Sequence, residues 1–553
     1  MTPIEAMLRI LREEGVDRIF GNPGTTELPF VDALAEAEDL PYTLAVQELT
    51  AVGMADGYAR ATGRPSFVSL HVAAGLANGL LGLLNARRSR TPMVVTAGQQ
   101  DRRHLIQDPM LSGDLVAIAA PAVKAGIDVQ HGYDLPVALR RAFALAVAPP
   151  AGPVFLSVPM DLLAEKESVP FLGRSSVHAP GAATGVPAAA EILAEARSPV
   201  IVAGDGVGRA DAVAELVAVA EALGATVYHQ PMADGINFPG RHPLYAGMLP
   251  PVNEAIRAAL SEHDVVFVAG THAFMPHHYS PGPAVPEGMT AVQLDVDANE
   301  IGRNFPVAAG LVGAPRATLG LLGATLVGRV PGAHARRAAI DRRTTAGRAE
   351  TDAAALAAYG DAPLDSLAAM HAVAAGLPAE AVVIDEAITA GIHLRRVLRQ
   401  DRPKSYVHTV GGGLGWGIGA AIGSRLGNPD RPVVAVLGDG SAMFGLQGLW
   451  SAARYRVPVA FVVVNNGEYR TLKETLDKHK SRSAELRRYT GLDIAPPGLD
   501  WTQAADFFGL RSVRVGSTAE LTEVVAGAGE LDGPLVIDVP VRSHRAEHGY
   551  SAE

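Results

Sequence analysis

Cysteine is absent from the 553 residues. Disulfides, thiolate nucleophiles, zinc–thiolate centres and iron–sulfur clusters are therefore excluded. Aromatics are scarce, at 5%, yet hydrophobic residues reach 48% through abundant alanine and valine. That balance fits a soluble globular α/β protein and not a disordered chain. Basic charge is also short. The 47 Lys and Arg against 58 Asp and Glu leave a net charge of −11, with no basic stripe. Nucleic acid is thus not an expected partner. An acidic surface keeps an assembly soluble and says little else. No long apolar run is uninterrupted. The most apolar stretch, Val68 to Ala86, contains His71, Asn78 and several glycines, and reads as strand, turn and buried helix, not as a membrane span. The opening segment, Met1 to Leu11, is an amphipathic helix with charges inside it, a poor signal peptide. Cytoplasmic location is the expectation.

What is present is βα alternation on a scale too large for one core. The first block, residues 1–180, shows strands at Arg18–Phe20, Tyr42–Val46, Ser66–Leu70, Met93–Ala97 and Val154–Val158. The second, 181–335, follows the Ala/Gly/Pro-rich stretch from Ala179 to Pro187 and shows strands at Pro199–Ala203, Val265–Ala269 and Ala291–Asp295. An Ala/Arg/Gly-rich linker with helical pieces, 336–365, leads to the third block, 366–553. Strands separated by helical patterns imply parallel βαβ units. The expected fold class is α/β, with three doubly wound, mainly parallel sheets whose ligands sit beyond the strands' carboxyl ends.

The third block carries a split cassette. Gly438-Asp439-Gly440-Ser441 closes the apolar run Val433 to Leu437. With 24 residues between Gly440 and Asn465, Asn465-Asn466-Gly467-Glu468-Tyr469 closes the run Val459 to Val464. Each half alone is an ordinary strand-end turn. Together they offer a carboxylate from Asp439, an amide oxygen from Asn466 and a backbone carbonyl just after Gly467. Such an oxygen set suits Mg²⁺ shared with a phosphate. Glycines let the backbone approach, and a helix after Ser441 turns its N-terminus toward an anion. The spacing resembles the diphosphate motif of thiamin diphosphate enzymes. The middle block has its own Gly204-Asp205-Gly206 but no Asn-Asn at that distance. It reads as a strand-end turn, with a relic nucleotide crevice as the alternative.

Activation of that cofactor needs a carboxylate at its pyrimidine nitrogen. Glu48, after the strand Tyr42 to Val46, is the candidate; the plain alternative is a solvated glutamate favouring a helix N-terminus. A buried, unpaired carboxylate there would tend to hold a proton. The resemblance then widens over nearly the whole chain. Phe20-Gly21-Asn22-Pro23-Gly24-Thr25-Thr26-Glu27, Gln47-Glu48, Leu70-His71-Val72-Ala73-Ala74-Gly75, Thr96 to Gln100 and Gly412-Gly413-Leu414-Gly415 occur in order. The chain resembles the thiamin diphosphate-dependent decarboxylase superfamily, and within it the benzoylformate decarboxylases.

The resemblance implies the following roles. Glu48 activates the cofactor. His71 and His277 move protons, and Thr25 offers a hydroxyl to the substrate carboxylate where the family has serine. The carbonyl of Gly412 and the side chain of Leu414 shape the cofactor. Thr389, Ser441 and Tyr469 meet its diphosphate. Asp439, Asn466 and the carbonyl of Glu468 hold Mg²⁺. Leu111, Leu472, His408 and Thr475 line the substrate pocket, the last two where the family has aromatics, which predicts a more polar or differently shaped substrate. Without the motifs His71 reads as a buried strand-end histidine, His277 as a loop histidine beside His278, and Thr25 as a helix cap. The charged stretch Arg470 to Arg488, with Lys473, Lys478, Lys480 and Arg482, reads as a solvated face, a mobile lid, or an attraction for acidic substrates. The implied activity is non-oxidative decarboxylation of a 2-oxo acid to an aldehyde and CO₂, with a carboligase of the acetolactate synthase type as the alternative. A homodimer or dimer of dimers, with active sites at the interface, is implied as well.

Overall fold

The computed structural model describes residues 1–177 and 180–549. Ala179, where the first linker is expected to begin, lies outside the described residues. Two compact units emerge: Met1–Ser176 with Tyr359–Gly391 and Thr409–Glu553, and Val177–Ala358 with Ile392–His408.

Three six-stranded parallel sheets carry the chain. The first contains β1 (Ile19–Gly21), β2 (Tyr42–Leu44), β3 (Ser66–Leu70), β4 (Met93–Gln99), β5 (Ala125–Asp128) and β6 (Pro153–Pro159), in the order β2-β1-β3-β4-β6-β5. The second contains β7 (Pro199–Ala203), β8 (Thr226–His229), β9 (Tyr245–Met248), β10 (Val265–Ala269), β11 (Thr290–Asp295) and β12 (Ala309–Val312), in the order β12-β11-β10-β7-β8-β9. The third contains β13 (Val382–Glu386), β14 (Tyr406–His408), β15 (Val433–Gly438), β16 (Val459–Asn465), β17 (Arg511–Arg514) and β18 (Leu535–Pro540), in the order β14-β13-β15-β16-β18-β17. The first and third sheets therefore share one topology. In each, strand order reverses between the first and third strands, which opens a crevice at their carboxyl ends. Central strands are buried on both faces, as their unbroken apolar runs require.

Within the first unit, the helix Glu48–Thr62 packs tightly along the helix Gly417–Gly427. The contact is possible because it is made of small residues. A methyl on Gly57 would collide with the carbonyl of Ala420, and one on Gly423 with the backbone of Met54. A buried hydrogen bond, Trp416 Nε1 to Asp56 Oδ2 at 2.7 Å, fastens the same pair. The blocks bearing Glu48 and the cassette are thus packed together in one chain.

In the second sheet the crevice at β7 is filled by the protein's own groups. Asp205 is 3% exposed. Its carboxylate accepts from Asn237 Nδ2 at 2.7 Å, the Asp234 amide at 3.0 Å and Gln230 Nε2 at 2.6 Å. Gly204 and Gly206 abut Gly270 and Thr271 with no room for a ligand between them. Asp205→Ala would strand three buried donors, so a loss of about 3 kcal/mol of stability is expected, at the low end of 1–3 kcal/mol per group. A lowered calorimetric transition checks this. One continuous helix, Ala333–Ala357, begins just before the stretch 336–365 read as a linker with pieces of helix and runs through most of it.

Candidate active site

The turns after β1, β2 and β3 converge at the reversal point of the first sheet. Glu48 is the first residue of its helix, which Gln47 caps by accepting from the Thr50 amide at 2.9 Å. It is 7% exposed, so the solvated helix-start reading fails. Nor is its carboxylate unpaired: Oε1 accepts from Asn22 Nδ2 at 3.0 Å and Oε2 from Asn78 Nδ2 at 3.1 Å. Two neutral amide donors orient the group without supplying a cation that would neutralise it.

His71 follows β3, with its side chain 22% exposed. Its Nδ1 lies 2.8 Å from Glu27 Oε2 and 3.1 Å from Thr26 Oγ1. Glu27 also accepts from the amides of Gly24 and Gly98, both at 2.9 Å. A carboxylate surrounded by donors keeps the proton on Nδ1, so Nε2 is the nitrogen left for chemistry. The next residue, Val72, is fully buried with φ of 44°. A β-branched residue in that region stores about 1–3 kcal/mol of strain, a cost typical of positions where a site is held against local preference. Thr25 is exposed and opens the 3₁₀ turn Thr25–Glu27, whose cap is Gly24. The helix-cap reading of Thr25 is thereby displaced by one residue. Leu111, with φ of 70°, is 41% exposed on the loop after β4.

In the third sheet the cassette closes on itself. Asp439 is 4% exposed; Oδ1 accepts from the Gly440 amide at 2.7 Å, and Oδ2 from the amides of Asn466 at 3.0 Å and Gly467 at 2.6 Å. Burial pushes its carboxyl up to about 6 against those hydrogen bonds, and the charge of Glu468 adds to the rise. A cation would relieve both effects. The two asparagines have separate tasks. Asn465 Nδ2 ties the strand end to Leu499 O at 2.9 Å and Asp538 Oδ1 at 3.0 Å, whereas Asn466 Oδ1 accepts from the Glu468 amide at 2.9 Å. Gly467, at φ of 68°, gives its carbonyl to the amides of Ile494 and Ala495. The helix following the cassette starts at Asp439 and not after Ser441, and buried Ser441 lies within it. Tyr469 packs its ring on Gly440, where a methyl would come within 2.9 Å of it. Thr389 is half-buried in the helix Ile388–Val397.

The loop Gly411–Gly415 is anchored by residues the sequence reading missed. Asn85, buried on the helix Val72–Arg88, accepts from the Gly413 amide at 3.0 Å and donates to the Gly413 carbonyl at 2.9 Å. Glu386, at the end of β13, accepts from the Trp416 amide at 2.9 Å, and burial pushes its carboxyl up to about 8. Half-buried Leu414 is thus held between two fixed points, Gly413 and Trp416, and Gly412, with φ of 76°, directly precedes the first.

The charged stretch is not uniform. Lys473 is fully buried and bonds Glu468 Oε2 at 2.7 Å and Asp493 Oδ1 at 2.5 Å. It is committed to the cassette and does not face an acidic substrate, which corrects that expectation. Lys478, Lys480 and Arg482 are exposed. Thr475, on the helix Arg470–Lys478, donates its hydroxyl to Thr471 O at 2.7 Å. That bond within the helix uses the hydroxyl proton expected to meet substrate. Leu472 on the same helix is 47% exposed.

Two of the expected site residues belong to the second unit. His277 is exposed, and its Nδ1 lies 3.0 Å from His278 Nε2. His408 is 3% exposed, with its amide donating to Asp234 O at 3.2 Å.

Beyond His71, Glu27, Asn22, Asn78, Asn85 and Glu386 were given no role from sequence, and Lys473 was given the wrong one. Only Asn22 and Glu27 lay within a quoted motif; no local spacing marks the others, because tertiary packing alone gives them partners.

Comparison with known proteins identifies the family. Residues 1–117 match the N-terminal TPP binding domain of the thiamine pyrophosphate enzymes, 186–322 the central domain and 389–539 the C-terminal TPP binding domain. The chain belongs to the thiamine pyrophosphate enzyme family. It is 35% identical to a benzoylformate decarboxylase of Pseudomonas aeruginosa, over 97% of this chain and 98% of that one. It is 26% identical to an acetolactate synthase large subunit of Haemophilus influenzae, over 99% and 95% of the two chains. The solved thiamine diphosphate-dependent 4-hydroxybenzoylformate decarboxylase of Rhodococcus jostii RHA1 superposes with a TM-score of 0.87 at 31% identity, over 98% of this chain and 99% of that one. No helix among the described residues is long and apolar enough to cross a membrane.

Proposed function

We propose that this enzyme is a thiamin diphosphate- and Mg²⁺-dependent carboxy-lyase that converts a 2-oxo acid with an aryl or similarly broad side chain into an aldehyde and CO₂. The observation that carries the reading is the His71–Glu27 pair together with buried Glu48: an imidazole–carboxylate pair and a second buried carboxylate, on the ends of the strands β3 and β2 that flank β1. Benzoylformate decarboxylase as a full-length relative supports it.

Asp439, Asn466 and the Glu468 carbonyl would hold Mg²⁺, which their all-oxygen character and the raised Asp439 carboxyl favour. Thr389, Ser441 and Tyr469 would meet the diphosphate, and Gly412 and Leu414 the rings. When bound, thiamin diphosphate supplies the electron sink that decarboxylation needs. The chain's own residues do the rest. Glu48 would hold a proton at the pyrimidine nitrogen. His71 Nε2 would deliver and recover a proton at the reacting carbon, the task for which imidazole is the commonest side chain. Thr25 would anchor the substrate carboxylate. Leu111, Leu472 and the methyl of Thr475 would form an apolar wall. The back-bonded hydroxyl of Thr475 favours an apolar side chain over the more polar one its identity first indicates. For His277 and His408 we propose the proton-transfer and pocket roles that the family resemblance implies.

We further propose assembly as a dimer or a dimer of dimers. Leu81 packs on Gly413 and Phe444 on Gly415, yet they remain 37% and 54% exposed. Exposed apolar side chains flanking a cofactor loop are what a subunit contact covers.

Incubation with aryl, aliphatic and acidic 2-oxo acids tests the reaction. CO₂ and aldehyde in equal amounts are expected, fastest with the aryl acids, and light scattering of the active sample should read at least a dimer. Acyloin without free aldehyde would reassign the enzyme as a carboligase. No CO₂ from any acid would remove the lyase reading.

A further inference from the structure

The last described helix, His544–His548, bears histidines four residues apart, which places both on one helical face. His544 is 1% exposed, and its Nε2 lies 2.6 Å from Asp477 Oδ2. The other oxygen of Asp477 accepts from the Tyr489 hydroxyl. The ring of His548 stacks on that of His544, with centroids 4.1 Å apart and planes at 18°. Its Nδ1 sits 2.9 Å from the His544 carbonyl, which leaves Nε2 as its ligand atom. One ligand atom from each of Asp477, His544 and His548 lies within 4.8 Å of the others.

We propose that Asp477, His544 and His548 form a second metal site, selective for a borderline divalent transition ion such as Zn²⁺ and separate from the Mg²⁺ position at the cassette. Two imidazoles and one carboxylate make a three-ligand set that Zn²⁺ completes with water, whereas Mg²⁺ prefers oxygen alone. Two histidines at this helical spacing are a recurrent chelating pair. On binding, the Nε2–Asp477 hydrogen bond gives way to two metal–ligand bonds, and any proton on the imidazole Nε2 leaves to solvent. Tyr489 would keep Asp477 oriented as an outer partner.

The site would act on the active-site wall. Asp477 lies in the last turn of the helix that carries Leu472 and Thr475. The last helix already reaches this region twice, through the His544 amide to Glu468 Oε1 and through Glu547 to Arg470 at 2.6 Å. An ion bridging Asp477 to both histidines would lock the two helices together beside the cassette. This inference does not depend on the reaction assigned above.

The test uses the holoenzyme saturated with thiamin diphosphate and Mg²⁺. Zn²⁺ or Co²⁺ is added, excess is removed by gel filtration, and retained metal is measured by mass spectrometry, with the visible spectrum of Co²⁺ reporting its coordination. Wild-type protein should retain one ion per chain with a cobalt spectrum of low coordination number. His548→Ala, at an exposed position, and Asp477→Asn should each weaken retention at least tenfold. Wild type retaining no ion, or both variants retaining as much as wild type, overturns the proposal and leaves the cluster as a hydrogen-bonded chain only.

Discussion

Glu48→Gln is expected to lower kcat by about 10²- to 10⁴-fold, the range for loss of a positioned proton-transfer group, while cofactor affinity changes far less. The physical reason lies in its two partners. Asn22 and Asn78 each donate to one carboxylate oxygen. Glutamine keeps the shape and one acceptor, but it cannot exchange a proton with the pyrimidine, and its amide group meets one asparagine donor head-on. The lost hydrogen bond accounts for about 1 kcal/mol, a small part of the predicted effect. Steady-state turnover, alongside a fluorescence titration of thiamin diphosphate, separates the two quantities. A variant that turns over at the wild-type rate would remove Glu48 from the role proposed for it.

Asp439→Asn should act on the other quantity. The three amides converging on this carboxylate come from Gly440, Asn466 and Gly467. An asparagine there would turn a donor toward donors and remove the charge that a cation requires. Changing groups merely behind a metal ligand costs 10–100-fold in metal affinity, so removing a ligand should weaken Mg²⁺-dependent cofactor binding by at least about 100-fold. High Mg²⁺ should restore part of it. Calorimetric titration of cofactor at two Mg²⁺ concentrations, with circular dichroism to confirm folding, reads this directly. Unchanged affinity would move the metal elsewhere. The two variants have opposite signatures, turnover in one and binding in the other, so together they separate the activating carboxylate from the clamp.

Lys473 shows why some of the site was hidden from a linear reading. In sequence it sits in a run of charges, and solvation is the reasonable expectation for such a run. In three dimensions its helix turns one face inward, where Glu468 and Asp493 supply two carboxylates. A fully buried ammonium is tolerable only with such partners, and both are set by folding. Asn85 is similar: an amide within an apolar helix, whose partner Gly413 lies 328 positions away. Thr475 makes the converse point. Its type indicates a polar pocket, but its helical position lets the hydroxyl give its proton to the preceding turn, and the methyl and an acceptor oxygen are left to act.

Local pattern was sufficient wherever the signal was itself local. Continuous apolar runs placed β3, β7 and β10 at their observed limits, because strands buried on both faces need no partner information to be recognised. Short or edge strands such as β5, β9 and β17 alternate weakly or are polar, and pairing alone defines them. By itself the sequence determined the cassette, the cofactor class and the three-sheet order, because each is written in glycines, oxygen ligands and apolar periodicity within a few residues. Tertiary structure alone decided which carboxylates are buried, that Glu27 orients His71, that Asp205 fills its own crevice and that Asp477 meets His544. Burial and hydrogen-bond satisfaction depend on groups that only the folded backbone brings within about 3 Å of one another.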